Sequence, residues 1–292
     1  MKILITGKDG FIARNLFEQL RSEYAVTALN RKKLDLLDST GVLVYLKKNP
    51  FEIIIHAATY DAAPINSPKD PTRVLEHNLT MFFNLARCRD YFGRMIYFGS
   101  GAEFGREHWK PKMKEDYFGR HIPVDQYGLS KYLMTQHAQL SPNIYNLRLF
   151  GVFGEYDNWR YRFISNACCK AVLGLPITFR HNKVFDFLYV DDLIRIVKWF
   201  IRGSPQHRVY NVCSGKSFEF RTLAQKIIQA AGKDLEILVE SGNPRIEYSG
   251  DNSLLLQELK NFKFSSIDDS IQKMYNWYNT HRRRIKKEEF HY

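Results

Sequence analysis

The sequence predicts an α/β fold: a doubly wound parallel sheet with helices on both faces, and a smaller, interwoven C-terminal α/β lobe. Three observations carry this. Strand-like runs KILIT, AVTAL, EIIIHAA, MIYFGS and IYNLRLF alternate with helical stretches beginning near Phe11, Val74 and Gln126, the pattern of successive βαβ units. The first strand passes at once into a helix through two glycines, Gly7 and Gly10. After about Gly154 the alternation gives way to a mixed pattern: helix-like RFISNACCKAVLG, the apolar run VFDFLYVDDLIRIVKWFI, a strand VYNVC, and helix-like RTLAQKIIQAAG closed by Gly232.

Length and composition set the bounds. With 292 residues, 45% hydrophobic and 25% charged, the chain can bury one large core or form two lobes sharing a cleft. A single Lys2 precedes a short apolar run, and no segment approaches about 20 consecutive apolar residues. A cytoplasmic, soluble protein without membrane contact is expected. The cysteines Cys88, Cys168, Cys169 and Cys213 fit no metal spacing and no disulfide framework, so they read as free thiols and no metal is expected. The 43 Lys and Arg against 31 Asp and Glu give a net charge of +12, which suits an anionic partner. A nucleic-acid partner is not expected, because no helix-turn-helix, zinc-finger or RNA-recognition signature is present. The basic tail HRRRIKKEEF reads as a solvated, fraying end.

The opening motif GKDGFIA gives the first functional reading. A strand ending at Thr6, then Gly7 and Gly10, then a helix, sets backbone amides and a positive helix end where a pyrophosphate binds. Gly7 allows the turn and Gly10 the approach of phosphates, while Ala13 stands where a third glycine would permit close helix–strand packing. A glycine turn with no ligand is the other reading of this motif alone. In YGLSK, Tyr127 and Lys131 lie four apart and share a helical face. There the ammonium can lower the phenol's pKa and make a usable proton donor or acceptor. Upstream, YFGSGAEFG takes a strand into a Gly-rich turn at Ser100, where a parallel sheet presents active-site groups.

Taken together and in order, these segments resemble the extended short-chain dehydrogenase/reductase family, the NAD(P)-dependent epimerases, dehydratases and ketoreductases of sugar nucleotides. The likeness continues through LDLLD, IIIHAAT, Asn78 in EHNLTMFFNL, LRLFGVFG, DFLYVDDL and YNVCSGKSFEFRTLAQ. It implies a Rossmann dinucleotide-binding domain over 1–154, with about 183–213 returning to it, and a mainly substrate-binding lobe over 155–292. It also implies a nucleoside-diphosphate sugar as substrate and a homodimer built on the helices near 74–91 and 126–139. Met81, Phe82, Tyr132 and Met134 are the candidate apolar contacts of that dimer; placement in the monomer core is the alternative.

Residue by residue, the resemblance makes Tyr127 the acid/base, Lys131 the group that holds the nicotinamide ribose, and Ser100 the hydrogen-bonding partner of the reacting oxygen. A serine that only caps its turn is the plainer alternative. Gly7, Asp9, Gly10, Phe11 and Ile12 would meet the cofactor from the first turn, Asn30 and Arg31 from the second strand, and Asp35 and Leu36 at the adenine. Ala57, Ala58 and Leu149 would lie beside it. Asn78 would stand near the active site or serve helix backbone groups.

Departures from the family narrow the reaction. Its 4,6-dehydratases carry an Asp-Glu pair where this chain has Gly101 and Ala102. Its fucose-synthase members carry a Cys at the place of Ala102 and a His near Arg162, and neither is matched. GSGAEFG looks instead like the turn of 4-keto-6-deoxysugar reductases. Simple reduction is therefore expected, with 4-epimerisation through tightly bound NAD as the alternative and a non-catalytic binding protein as a second. Gly151 replaces an Asn that contacts substrate in relatives, and Phe185 replaces a phosphate-binding Arg, for which Arg162, Arg180 or Lys183 could compensate. Arg245 resembles a late diphosphate-gripping arginine, with a surface role as the alternative. Phe179 would flank the base or belong to the core. The second strand ends in ALNRKK: Asn30 removes the acidic side chain that would repel a 2′-phosphate, and Arg31 offers a partner for it. NADP is the expected cofactor, with NAD the alternative if Arg31–Lys33 form only a solvated turn.

Overall fold

In the computed structural model, which describes residues 1–62, 69–241 and 246–290, strand β1 (Lys2–Thr6) buries Ile3, Leu4 and Ile5 completely. A strand covered on both faces belongs at the centre of a helix-wrapped parallel sheet. The first half of the chain continues with α1 (Phe11–Leu20), β2 (Ala25–Leu29), α2 (Ser39–Lys48), β3 (Phe51–His56), α3 (Val74–Ala86), β4 (Phe92–Ser100), α4 (Gln126–Leu140) and β5 (Ile144–Leu149). The second half holds β6 (Gly151–Phe153), α5 (Phe163–Leu173), β7 (Ile177–His181), β8 (Val184–Tyr189), α6 (Val190–Arg202) and β9 (Val209–Val212). After these come β10 (Ser217–Glu219), α7 (Phe220–Ala231), β11 (Ile237–Ser241), β12 (Glu247–Tyr248), α8 (Ser253–Leu259) and α9 (Ile267–Thr280).

Six strands form one sheet in the order β2-β1-β3-β4-β5-β9, every neighbour parallel. Leu16 and Leu20 of α1 pack with Ile196 and Phe200 of α6 over one face. Val42 and Leu46 of α2, Phe82 and Leu85 of α3 and Met134 of α4 cover the other. This is the expected doubly wound α/β architecture, and the chain beyond Gly154 returns to it through α6 and β9. The strand order reverses between β1 and β3, which opens a crevice at their carboxyl ends.

The smaller mixed lobe has its own core of α5, α7 and α9 side chains, among them Cys168, Ile227 and Met274. Two expectations are corrected here. The basic tail does not fray over its described part: Ile285 and Phe290 are buried, Phe290 lies 5.0 Å from the Trp159 ring, and Glu289 pairs with Arg160. Two apolar anchors in the lobe core hold the intervening charges at the surface. Phe82, Tyr132 and Met134 are buried within the monomer, so they form no exposed contact surface; Met81 lines the crevice instead. A helix lying on a sheet turns its apolar stripe inward, and these residues belong to that stripe. Among the described residues no helix is long and apolar enough to cross a membrane.

Candidate active site

At the mouth of the crevice Gly7 has φ +75°, and a Cβ there would lie 2.7 Å from Ala58 Cα. Both the angle and the neighbouring backbone require glycine. Gly10 has extended backbone and caps α1, its N–H bonded to the Gly7 carbonyl at 2.8 Å, and Ala13 is buried where the helix meets the sheet. The resulting cleft, about 630 Å3, is lined by Gly7, Asp9, Gly10, Asn30, Arg31, Asp35, Leu36, Ala57 and Ala58. Phe11 and Ile12 pack partly buried against the core beside it, and Leu149 is buried in the sheet.

A dinucleotide fits the residues present. Asn30 Nδ2 donates to Asp9 Oδ2 at 3.0 Å, while Asn30 Oδ1 is buried with no hydrogen-bond partner among the described residues; an acceptor left open at this place suits a ribose hydroxyl. Arg31 is well exposed, its Nε 3.1 Å from Asp35 Oδ2. Asn78 serves the loop after β3: its Oδ1 accepts the Tyr60 N–H at 2.8 Å and its Nδ2 donates to the Tyr60 carbonyl at 3.0 Å. It thereby holds the backbone that faces the cleft.

The candidate catalytic side chains lie at the carboxyl end of β4 and the start of α4. Asp125 accepts the Gly128 N–H at 2.9 Å and starts α4 there, which places Tyr127 and Lys131 one turn apart against the sheet. Lys131 is buried, its Nζ donating to the Phe98 carbonyl at 2.8 Å and lying 5.7 Å from the centre of the Tyr127 ring. Burial brings its pKa down to about 8, opposed by the carboxylates of Glu103 and Asp61. The Tyr127 phenol is shifted upward, by burial first and then by the charges of Asp61 and Tyr248, while Arg162 and Ser100 pull it down. The expected lowering by Lys131 is therefore corrected: the amine is directed at the Phe98 carbonyl and burial governs the phenol. Ser100 ends β4, accepts the Ala102 N–H at 3.2 Å as the cap of its turn, and its hydroxyl pulls the pKa of both the Tyr127 and Tyr248 phenols down against burial. It caps and faces the site at once.

On the side away from the cleft, Gly101 has no room for a side chain, since a Cβ would come within 2.6 Å of the Tyr248 ring and 2.8 Å of Phe150. Ala102 is buried. Gly151 likewise faces β8, where a Cβ would meet the Asp186 carbonyl at 2.7 Å, so position 151 offers only backbone. Arg162 caps α5, is half exposed, and its charge reaches Tyr127 and Tyr248. Phe185 stands in a run of rings leading outward from Ser100. Trp109 stacks on Tyr248 at 4.0 Å, Phe185 follows at 5.2 Å, then Phe220 at 5.2 Å. Phe163 stacks on Phe220 at 4.0 Å, with Phe179 edge-on to it at 5.4 Å. Phe179 thus belongs to a half-buried wall and not to the sealed core. Arg245 lies outside the described residues.

Tyr248 and Asp61 were not visible as site residues in the sequence. Tyr248 arrives by the pairing of β12 with β8, a long-range event with no local spacing. Asp61 follows the HAAT segment closely enough that its position beyond β3 was the available signal.

Residues 3–213 match the family described as NAD dependent epimerase/dehydratase family. A GDP-6-deoxy-D-talose 4-dehydrogenase from Aggregatibacter actinomycetemcomitans is 26% identical over 94% of this chain and 97% of its own. Among solved structures, a GDP-L-fucose synthetase from Naegleria fowleri bound to NADP superposes with a TM-score of 0.86 at 16% identity, covering 98% of this chain and 95% of that one. The UDP-glucose 4-epimerase of Thermotoga maritima gives 0.84 at 18% identity, over 96% and 99%. The family match spans the glycine turn, Ser100 and the Tyr127–Lys131 pair, and the chain accordingly belongs to the NAD dependent epimerase/dehydratase family of enzymes.

Proposed function

We propose that this enzyme reduces the ketone of a 4-keto-6-deoxysugar nucleotide with NADPH, Tyr127 being the proton donor. The observation that carries the reading is the convergence of Ser100, Tyr127 and Lys131 beside a turn whose Gly101 position is closed to any side chain. The names of two relatives, the 6-deoxytalose 4-dehydrogenase and the NADP-bound fucose synthetase, agree with redox chemistry on a deoxysugar nucleotide.

Bound in the cleft, the nicotinamide supplies the hydride. The chain's own groups manage the oxygen. The Tyr127 phenol gives up its proton as negative charge grows on the carbonyl oxygen. The Ser100 hydroxyl adds a second hydrogen bond to that oxygen. Lys131 would hold the nicotinamide ribose. The aromatic run from Trp109 to Phe179 walls the sugar nucleotide, and Arg162 places a cation at the reacting end.

Turnover of NADPH against a panel of 4-keto-6-deoxysugar nucleotides tests this reading: oxidation of the cofactor in step with ketone loss is expected. Interconversion of sugar nucleotides with no net cofactor consumption would instead establish a 4-epimerase. For cofactor choice, Arg31→Ala is expected to weaken NADPH binding by roughly tenfold, the worth of about one charge-assisted hydrogen bond, with NADH binding unchanged. Calorimetry measures both, and equal losses for the two cofactors would remove the basis for NADP.

A further inference from the structure

Beneath the turn that carries Ser100 lies a set of buried polar side chains that the reaction as described does not use. Glu103 and Arg148 are both fully buried, with Arg148 Nε donating to Glu103 Oε2 at 2.8 Å. Glu103 Oε1 accepts the backbone N–H of Ser100 at 2.9 Å. Asn146 Oδ1 accepts the Gly99 N–H at 3.0 Å while its Nδ2 is 3.3 Å from Glu103 Oε1. The strand is cut away to admit them: a Cβ on Gly99 would lie 2.2 Å from both Asn146 Oδ1 and Glu103 Oε1. On its far side Arg148 Nη1 donates to Asn211 Oδ1 at 3.1 Å, and Asn211 Nδ2 donates to the carbonyls of Met113 and Asp251. The network thus joins the Ser100 turn to the segment that follows Tyr248.

A buried ion pair adds little net stability against an apolar pair of the same volume, yet halving it is costly. Its position under the reacting serine is what gives it a use. We propose that Glu103, clamped by Arg148, is a positioning residue: its carboxylate fixes the height of Ser100 against the reacting oxygen.

The inference rests on the reading of Ser100 as a reacting group, and its test has one arm that needs no substrate. In full-length protein, exchange of the Ser100 amide with solvent is followed in the parent chain, in Glu103→Asp, and in the double variant Glu103→Leu with Arg148→Met, which removes the carboxylate without leaving a buried charge unpaired. Glu103→Asp keeps the charge but withdraws the carboxylate from Ser100. In both variants the Ser100 amide should exchange faster than in the parent, and kcat with a 4-ketosugar nucleotide should fall about tenfold or more at unchanged KM, the consequence of a misplaced group. Either variant, folded, with parental Ser100 exchange overturns the proposal, so one decides the matter if the other does not fold. A parent chain that reduces no ketosugar would defeat the proposed reaction while leaving the exchange arm to be read.

Discussion

Tyr127→Phe is expected to lower turnover by about 10²-fold or more, the usual worth of a positioned general acid, and to leave cofactor affinity unchanged. The phenol oxygen is the group removed, and the ring, its centre 5.7 Å from Lys131 Nζ, is kept. The loss falls on proton donation and therefore on kcat. Steady-state kinetics with NADPH binding followed by fluorescence separates the two effects. An unimpaired Tyr127→Phe enzyme would contradict the assignment of the donor, and a parallel loss of cofactor binding would make Tyr127 a binding residue.

Gly7→Val is expected to act on the cofactor and on stability together. A non-glycine residue at φ +75° pays about 1–2 kcal/mol for the left-handed backbone, and its Cβ would meet Ala58 Cα at 2.7 Å. The collision is with backbone of β3's continuation, which has no rotamer to yield. The turn must move, and the amides that face the pyrophosphate move with it. NADPH affinity should fall by more than about tenfold, the equivalent of roughly 1.4 kcal/mol, with a lower thermal midpoint. Parental affinity at an unchanged midpoint would show that the turn has no part in cofactor binding.

What could be read in the sequence was what local spacing encodes. The strand–Gly7–Gly10–helix turn and the four-residue step from Tyr127 to Lys131 depend on residues close in sequence, and the structure builds both where expected. The direction of the Tyr127 shift was not legible, because it depends on how deeply the phenol is buried and on Asp61 across the site. Glu103 was visible as part of GSGAEFG, but its partner Arg148 sits 45 residues away and looks in LRLF like any strand residue. The fate of Phe82, Tyr132 and Met134 turned on which side of α3 and α4 meets the sheet, and apolar residues occur on enough of each helix to blur that stripe. The docking of the tail is not legible in the sequence, because its charges outnumber its two anchors, Ile285 and Phe290, and only the receiving core of the second lobe reveals them.

Simple reduction, as proposed, involves no chemistry at the carbons beside the ketone. The structure motivates it by closing Gly101 to any acidic side chain and burying Ala102, although the Asp61 carboxylate stands near enough for its charge to act on Tyr127. The most direct measurement is mass spectrometry of the product formed by the enzyme with NADPH and a 4-keto-6-deoxysugar nucleotide in heavy water, with substrate alone in the same solvent as the exchange control. Reduction predicts no carbon-bound deuterium beyond that control; enzyme-dependent deuterium at a carbon flanking the carbonyl would contradict it.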